Sequence, residues 1–106
     1  MSANPNMTNE TRPTPRPARF PLGQTFITPG AQDALAQSGQ SARAFLSRHV
    51  TGDWGDLSEE DRRENEFSVD KHLRVFSAYH TTNGVKVWVI TEADRSATTI
   101  LLPSEY

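Results

Sequence analysis

Residues 75–91 read V-F-S-A-Y-H-T-T-N-G-V-K-V-W-V-I-T, and this stretch decides the fold. Upstream of Arg74 the apolar residues recur at helical spacing; from Val75 they recur at every second position, the period of a half-buried strand. Val75 to Tyr79 reads as one strand and Val85 to Thr91 as the next. Asn83-Gly84 between them signals a hairpin, because a two-residue primed turn needs positive φ at both central positions. The alternation puts Val85, Val87 and Val89 on one face, with Lys86, Trp88 and Ile90 on the other.

Toward the C-terminus, Glu92 to Ser96 forms a polar turn and Ala97 to Leu102 a third strand, ended by Pro103. Such a meander needs a cover on one face, and helices are expected to supply it. Toward the N-terminus three helix starts are legible. Thr28-Pro29 joins a hydroxyl cap to a proline at the first helical position, and Gly39 ends that helix. Ser41 caps a second helix, with Ala42, Phe45, Leu46 and Val50 at helical spacing and Gly52 as its stop. Ser58 begins a third, polar helix over 58–70, whose first turn holds Glu59, Glu60 and Asp61, as the helix dipole favours. Phe26 and Ile27 predict a short edge strand near 24–28. The expected fold is α+β: N-terminal helices packed on a C-terminal three-stranded antiparallel meander, in one domain over 22–106.

Residues 1–21 read differently. Pro5, Pro13, Pro15, Pro17 and Pro21 remove backbone donors, and apolar residues are few, so a disordered Pro/Arg-rich leader is expected. It reads as a solvated tail or as a basic arm for a partner. Residues 1–19 carry Arg12, Arg16 and Arg19 against Glu10, leaving eight basic and twelve acidic residues in the remainder. A body of net -4 by that arithmetic disfavours gripping nucleic acid through bulk charge. With 35% hydrophobic residues and a length of 106, one small domain is expected. No apolar run suits a membrane span, and no apolar signal core opens the chain, so a cytoplasmic protein without membrane association is expected. The absence of cysteine excludes disulfides, thiolate metal sites and a cysteine nucleophile.

Candidate chemistry centres on the linker His49–Asp61, H-V-T-G-D-W-G-D-L-S-E-E-D, where a tryptophan between glycines reads as pinned to the core. The sequence carries no phosphate loop, dinucleotide fingerprint, H-E-x-x-H or serine elbow. Asp53, Asp56, Glu59 and Glu60 offer oxygens to a hard cation, but their spacing is not that of a calcium loop and the glutamates already serve a helix start. No metal and no cofactor are expected. The same four acids with Trp54 form a candidate partner-binding surface, since tryptophan anchors interfaces and an acidic helix complements a basic partner. An acidic DNA mimic or anti-defence inhibitor is the extreme form of that reading.

A catalytic alternative uses His49 as acid–base, Lys86 as the cation and Thr98 or Thr99 as hydroxyls facing a phosphate. A helix bearing Arg48-His49, followed by a meander with Lys86 and the threonines, resembles in element order the barnase–EndoU–colicin–RelE group of small RNases. That resemblance implies a metal-independent RNase. A longer likeness covers most of the chain after residue 20. L-S-R-H-V-T-G-D-W-G-D-L-S-E-E-D-R-R-E-N-E and W-V-I-T-E-A-D-R-S-A-T-T-I-L-L-P-S-E-Y are similar to small uncharacterised proteins of plasmids and integrative elements, some labelled plasmid-related or restriction-related. It implies a cytoplasmic accessory protein of mobile DNA. With no catalytic motif and an acidic body, a non-enzymatic module that binds another protein through the Trp54 linker and the acidic helix 58–70 is expected.

Overall fold

The computed structural model describes residues 16–106; the leader's first fifteen residues lie outside that range. Four strands and three helices follow in the order β1 (Gln24–Ile27), α1 (Pro29–Ser38), α2 (Ala42–Val50), α3 (Glu59–Lys71), β2 (Val75–His80), β3 (Lys86–Thr91) and β4 (Ala97–Leu101), with a 3₁₀ turn at Pro103–Glu105. The α+β class and the meander β2-β3-β4 are as the sequence predicts. The short strand near 24–28 also forms, and it pairs parallel with β4, so the sheet is mixed with order β1-β4-β3-β2.

The helix ends follow the sequence chemistry. Ala31 N donates to Thr28 Oγ1 at 3.3 Å, Ala44 N to Ser41 Oγ at 3.2 Å, and Asp61 N to Ser58 Oγ at 3.1 Å. Each bond satisfies one of the donors that a helix start leaves free.

The hairpin is where predicted, but its turn is of another class. Gly84 has φ 84, whereas Asn83 is not among the residues with positive φ. Gly84 N donates to Thr81 O at 2.8 Å and Thr81 N to Val85 O at 2.9 Å, the pattern of a type I turn closed by a left-handed glycine. Asn83 is released to donate its side-chain amide to Gln37 O at the end of α1. Val85 falls in this turn and is 37% exposed instead of joining Val87 and Val89 in the core.

One face of the sheet holds the core. Tyr79, Val87, Val89 and Ile100 meet Ala31 and Leu35 of α1 and Phe45 of α2. A second cluster of Phe20, Trp54 and Val75 closes the gap toward α3, joined by Leu22, Val50, Leu57 and Val69. Phe20 is 6% exposed, so the ordered body begins before residue 22 and the predicted leader boundary moves toward the N-terminus. Among the described residues no helix is long and apolar enough to cross a membrane.

Candidate functional site

The linker that the sequence singles out works as a structural brace. Trp54 is 2% exposed; its ring stacks near Phe20 at 6.3 Å and meets His49 edge-on at 6.0 Å. Its indole Nε1 donates to Glu66 Oε2 at 3.0 Å. Glu66 also takes a two-pronged bond from Arg19, at 2.7 and 2.9 Å, and this partner holds its carboxyl below the usual range. One carboxylate thus ties the N-terminal segment, the linker and α3 together.

The backbone around Trp54 does a second job. Ala78 N donates to Trp54 O at 3.2 Å and Asp56 N to Ala78 O at 2.7 Å, so the linker pairs with the outer edge of β2. Only glycine fits between them: a Cβ on Gly55, at φ +77, would stand 2.0 Å from Ala78 O. One residue pair along, the buried Asn65 of α3 continues the cover. Its amide donates to Phe76 O while Phe76 N donates to Asn65 Oδ1 at 3.1 Å.

Of the predicted partner-binding residues, Trp54 therefore offers no surface, and Asp53 and Asp56 are engaged. Arg48 clamps Asp53 at 2.7 Å, holding its carboxyl below the ordinary range, and lies over the Tyr79 ring at 4.4 Å. Asp56 accepts from His80 Nδ1 at 2.7 Å. Glu59 and Glu60 stand exposed on the first turn of α3, Glu59 with Arg63 at 3.3 Å. Among the described residues no group of three or more acids and histidines is placed to hold a metal ion.

The predicted catalytic residues do not form a common site. His49 is fully buried, and both ring nitrogens are occupied: Nδ1 by Ser77 Oγ at 2.6 Å and Nε2 by Thr91 Oγ1 at 2.9 Å. Thr98 donates to Leu22 O at 2.7 Å, so the 2.7 Å bond between Thr91 and Thr98 carries the proton of Thr91. Thr91 then accepts from His49 Nε2–H, leaving Nδ1 to accept from Ser77. The chain of bonds fixes one neutral tautomer. Burial pushes the His49 pKa from 6.5 down to about 3, helped by the cation of Arg95. A histidine that is sealed, neutral and fully bonded cannot trade protons with a substrate. Lys86 is exposed at the opposite end of β3 from Thr91, five residues or roughly 17 Å away. Thr98 is buried in the network, whereas Thr99 pairs with Ile90 and points to the other sheet face.

Arg95 makes no ion pair with its neighbours Glu92 and Asp94. Instead its guanidinium donates to the carbonyls of Leu73, Glu92, Ala93 and Ser68, at 2.6 to 3.2 Å. It closes the C-terminal end of α3, where the helix dipole favours a cation. Glu92 turns to Arg74 at 3.4 Å, and Asp94 accepts from Ser96 N.

What sequence reading missed lies on the surface. Phe67 is 57% exposed on the outward side of α3. An apolar groove runs between β1 and α2. On the face away from the helices, Phe76, Trp88 and Ile90 share a hollow with Arg74 and Tyr106. The opposite parity of Trp88 and Val87 was a signal for that hollow. The groove had none, because it depends on β1 reaching β4 from far away in sequence. No family model, curated protein or solved structure matches this chain.

Proposed function

We propose that this chain is a non-enzymatic protein-interaction module that docks a basic partner on the outward face of α3. The observation that carries the reading is Phe67, 57% exposed at the centre of that face. Glu60, Glu64 and Asp70 stand seven and three residues before it and three after, which is same-face helical spacing. A large exposed apolar side chain with acids three and seven residues before it and three after suits an amphipathic basic segment, with Phe67 as the anchor and these acids as its charge partners. Arg63 and Lys71, four residues to either side, leave the face mixed in charge and set the register of the partner's cations. The Trp54 linker takes part indirectly. It holds α3 through Glu66, while Asn65 ties the helix directly to Phe76 of β2, and together they present a rigid face. An accessory role in mobile DNA, the context that the sequence resemblance implies, is part of this proposal.

The test is calorimetric titration with a lysine-rich amphipathic helical peptide. Binding is expected to weaken as salt rises, since exposed charges are screened within about 8 Å at physiological ionic strength. Phe67→Ser and the paired change Glu60→Lys, Glu64→Lys are each expected to weaken it by tenfold or more. Heat that is absent, or unchanged in both variants, would overturn the reading.

A further inference from the structure

The two outer strands of the sheet differ in what meets their free backbone groups. Gln24 N donates to Ser96 O and Thr28 N to Ile100 O, both at 3.0 Å, so the even-numbered residues of this segment face β4. By ladder alternation the N–H and C=O groups of Thr25 and Ile27 point away from the sheet. Among the described residues nothing pairs with them.

Beside that edge lies an apolar groove. One end, about 80 Å³, is walled by Thr25, Phe26, Ile27, Ala42, Leu46 and Ile100. The other, about 330 Å³, is walled by Leu22, Arg43, Leu46, Ser47 and Val50. Leu46 lines both, so the two hollows adjoin along α2. From Ala42 to Val50 a helix rises roughly 12 Å, and four strand residues span roughly 13 Å, so strand and helix wall are matched in length. Arg43 is the charged wall residue, and among the described residues it has no ion-pair partner.

We propose that this groove receives an extended peptide of alternating apolar residues with one acidic side chain, which adds to β1 as a fifth strand. The exposed groups of Thr25 and Ile27 supply the ladder bonds. Alternate side chains drop onto Leu46 and Val50, and the acid meets Arg43, the combination by which strand-addition sites gain affinity and selectivity. Two of the chain's own segments fit poorly. The leader stretch R-P-T-P-R-P lacks ladder donors at its prolines and brings arginines to Arg43, and L-G-Q-T-F-I of a second copy brings no acid. The groove lies apart from the acidic face of α3 and takes a partner of opposite charge, so either site can fail alone.

The experiment titrates the isotope-labelled full chain with an acetylated, amidated octapeptide alternating valine and threonine around one central glutamate. Amide shifts are expected at Thr25–Ile27 and along Ala42–Val50. Arg43→Glu, an exposed change, is expected to weaken this probe at least tenfold and to favour its lysine counterpart. Thr25→Pro removes a donor that the native sheet does not use, so it should abolish binding while circular dichroism stays native. A probe with prolines at alternate positions should not bind. No shifts at millimolar peptide, equal binding of the proline probe, or shifts confined to other surfaces would each overturn the proposal. So would peptide-independent dimerisation through the β1 amides, which would assign the groove to a second copy.

Discussion

The sheet has two outer edges, and the molecule treats them in opposite ways. Along β2 every outward group in the middle of the strand is taken up: Phe76 by the amide of Asn65, and Ala78 by Trp54 and Asp56. Along β1 the outward groups of Thr25 and Ile27 meet nothing among the described residues. Unpaired strand edges template the pairing of other chains, so proteins usually block or blunt them. Here one side is closed by a tryptophan plug, a glycine and a buried asparagine. The other is left with an apolar trough beside it. A fold that covers one edge so fully gives the uncovered one meaning.

Acid should break the covered edge most severely. His49 bonds Ser77 of β2 and packs against the Trp54 plug, and its pKa in the fold is about 3 against 6.5 unfolded. The unfolded chain therefore takes up the proton first. Stability is complete above about pH 6.5 and falls as the pH drops toward 3, by about 1.4 kcal/mol per unit and about 4–5 kcal/mol in all. Urea unfolding at pH 7, 5 and 4 should show that slope, and His49→Gln, which cannot charge, should flatten it.

Trp54→Ala comes next. Removing a fully enclosed aromatic ring typically costs about 3–5 kcal/mol, a large share of the stability of a small domain. Thermal melts should show a fall of about 4–8 °C per kcal/mol. Asn65→Ala leaves Phe76 N and O without protein partners at the strand edge; a loss of about 1–3 kcal/mol is expected, with the β2 amides exchanging faster. At the open edge the effect should nearly vanish. Thr25→Pro is expected to shift stability by no more than about 1 kcal/mol, because it removes no ladder bond.

Much of the architecture was legible because local chemistry and global fold agree. Thr28, Ser41 and Ser58 cap the helices they announce, and the switch to period two at Val75 marks the sheet. The reading of Trp54 as pinned between two glycines also matches its burial. Where expectation and structure part, long-range contacts decide. Asn83 keeps a negative φ because the turn takes its left-handed residue from Gly84 and spends the asparagine amide on α1. His49 looks like an acid–base group in a one-dimensional reading. Only the arrival of Ser77 and Thr91, 28 and 42 residues away, shows that its nitrogens are committed. The acids of the linker looked free for a partner, and Arg48 and His80 claim two of them. The β1–α2 groove depends on a parallel pairing across some seventy residues, which no local pattern encodes.

The contrast between the edges is tested most directly by native-state amide hydrogen exchange. The account predicts strong protection at Phe76 and Ala78, approaching that of global unfolding, and rapid exchange at Thr25 and Ile27. Comparable protection at all four amides would contradict it.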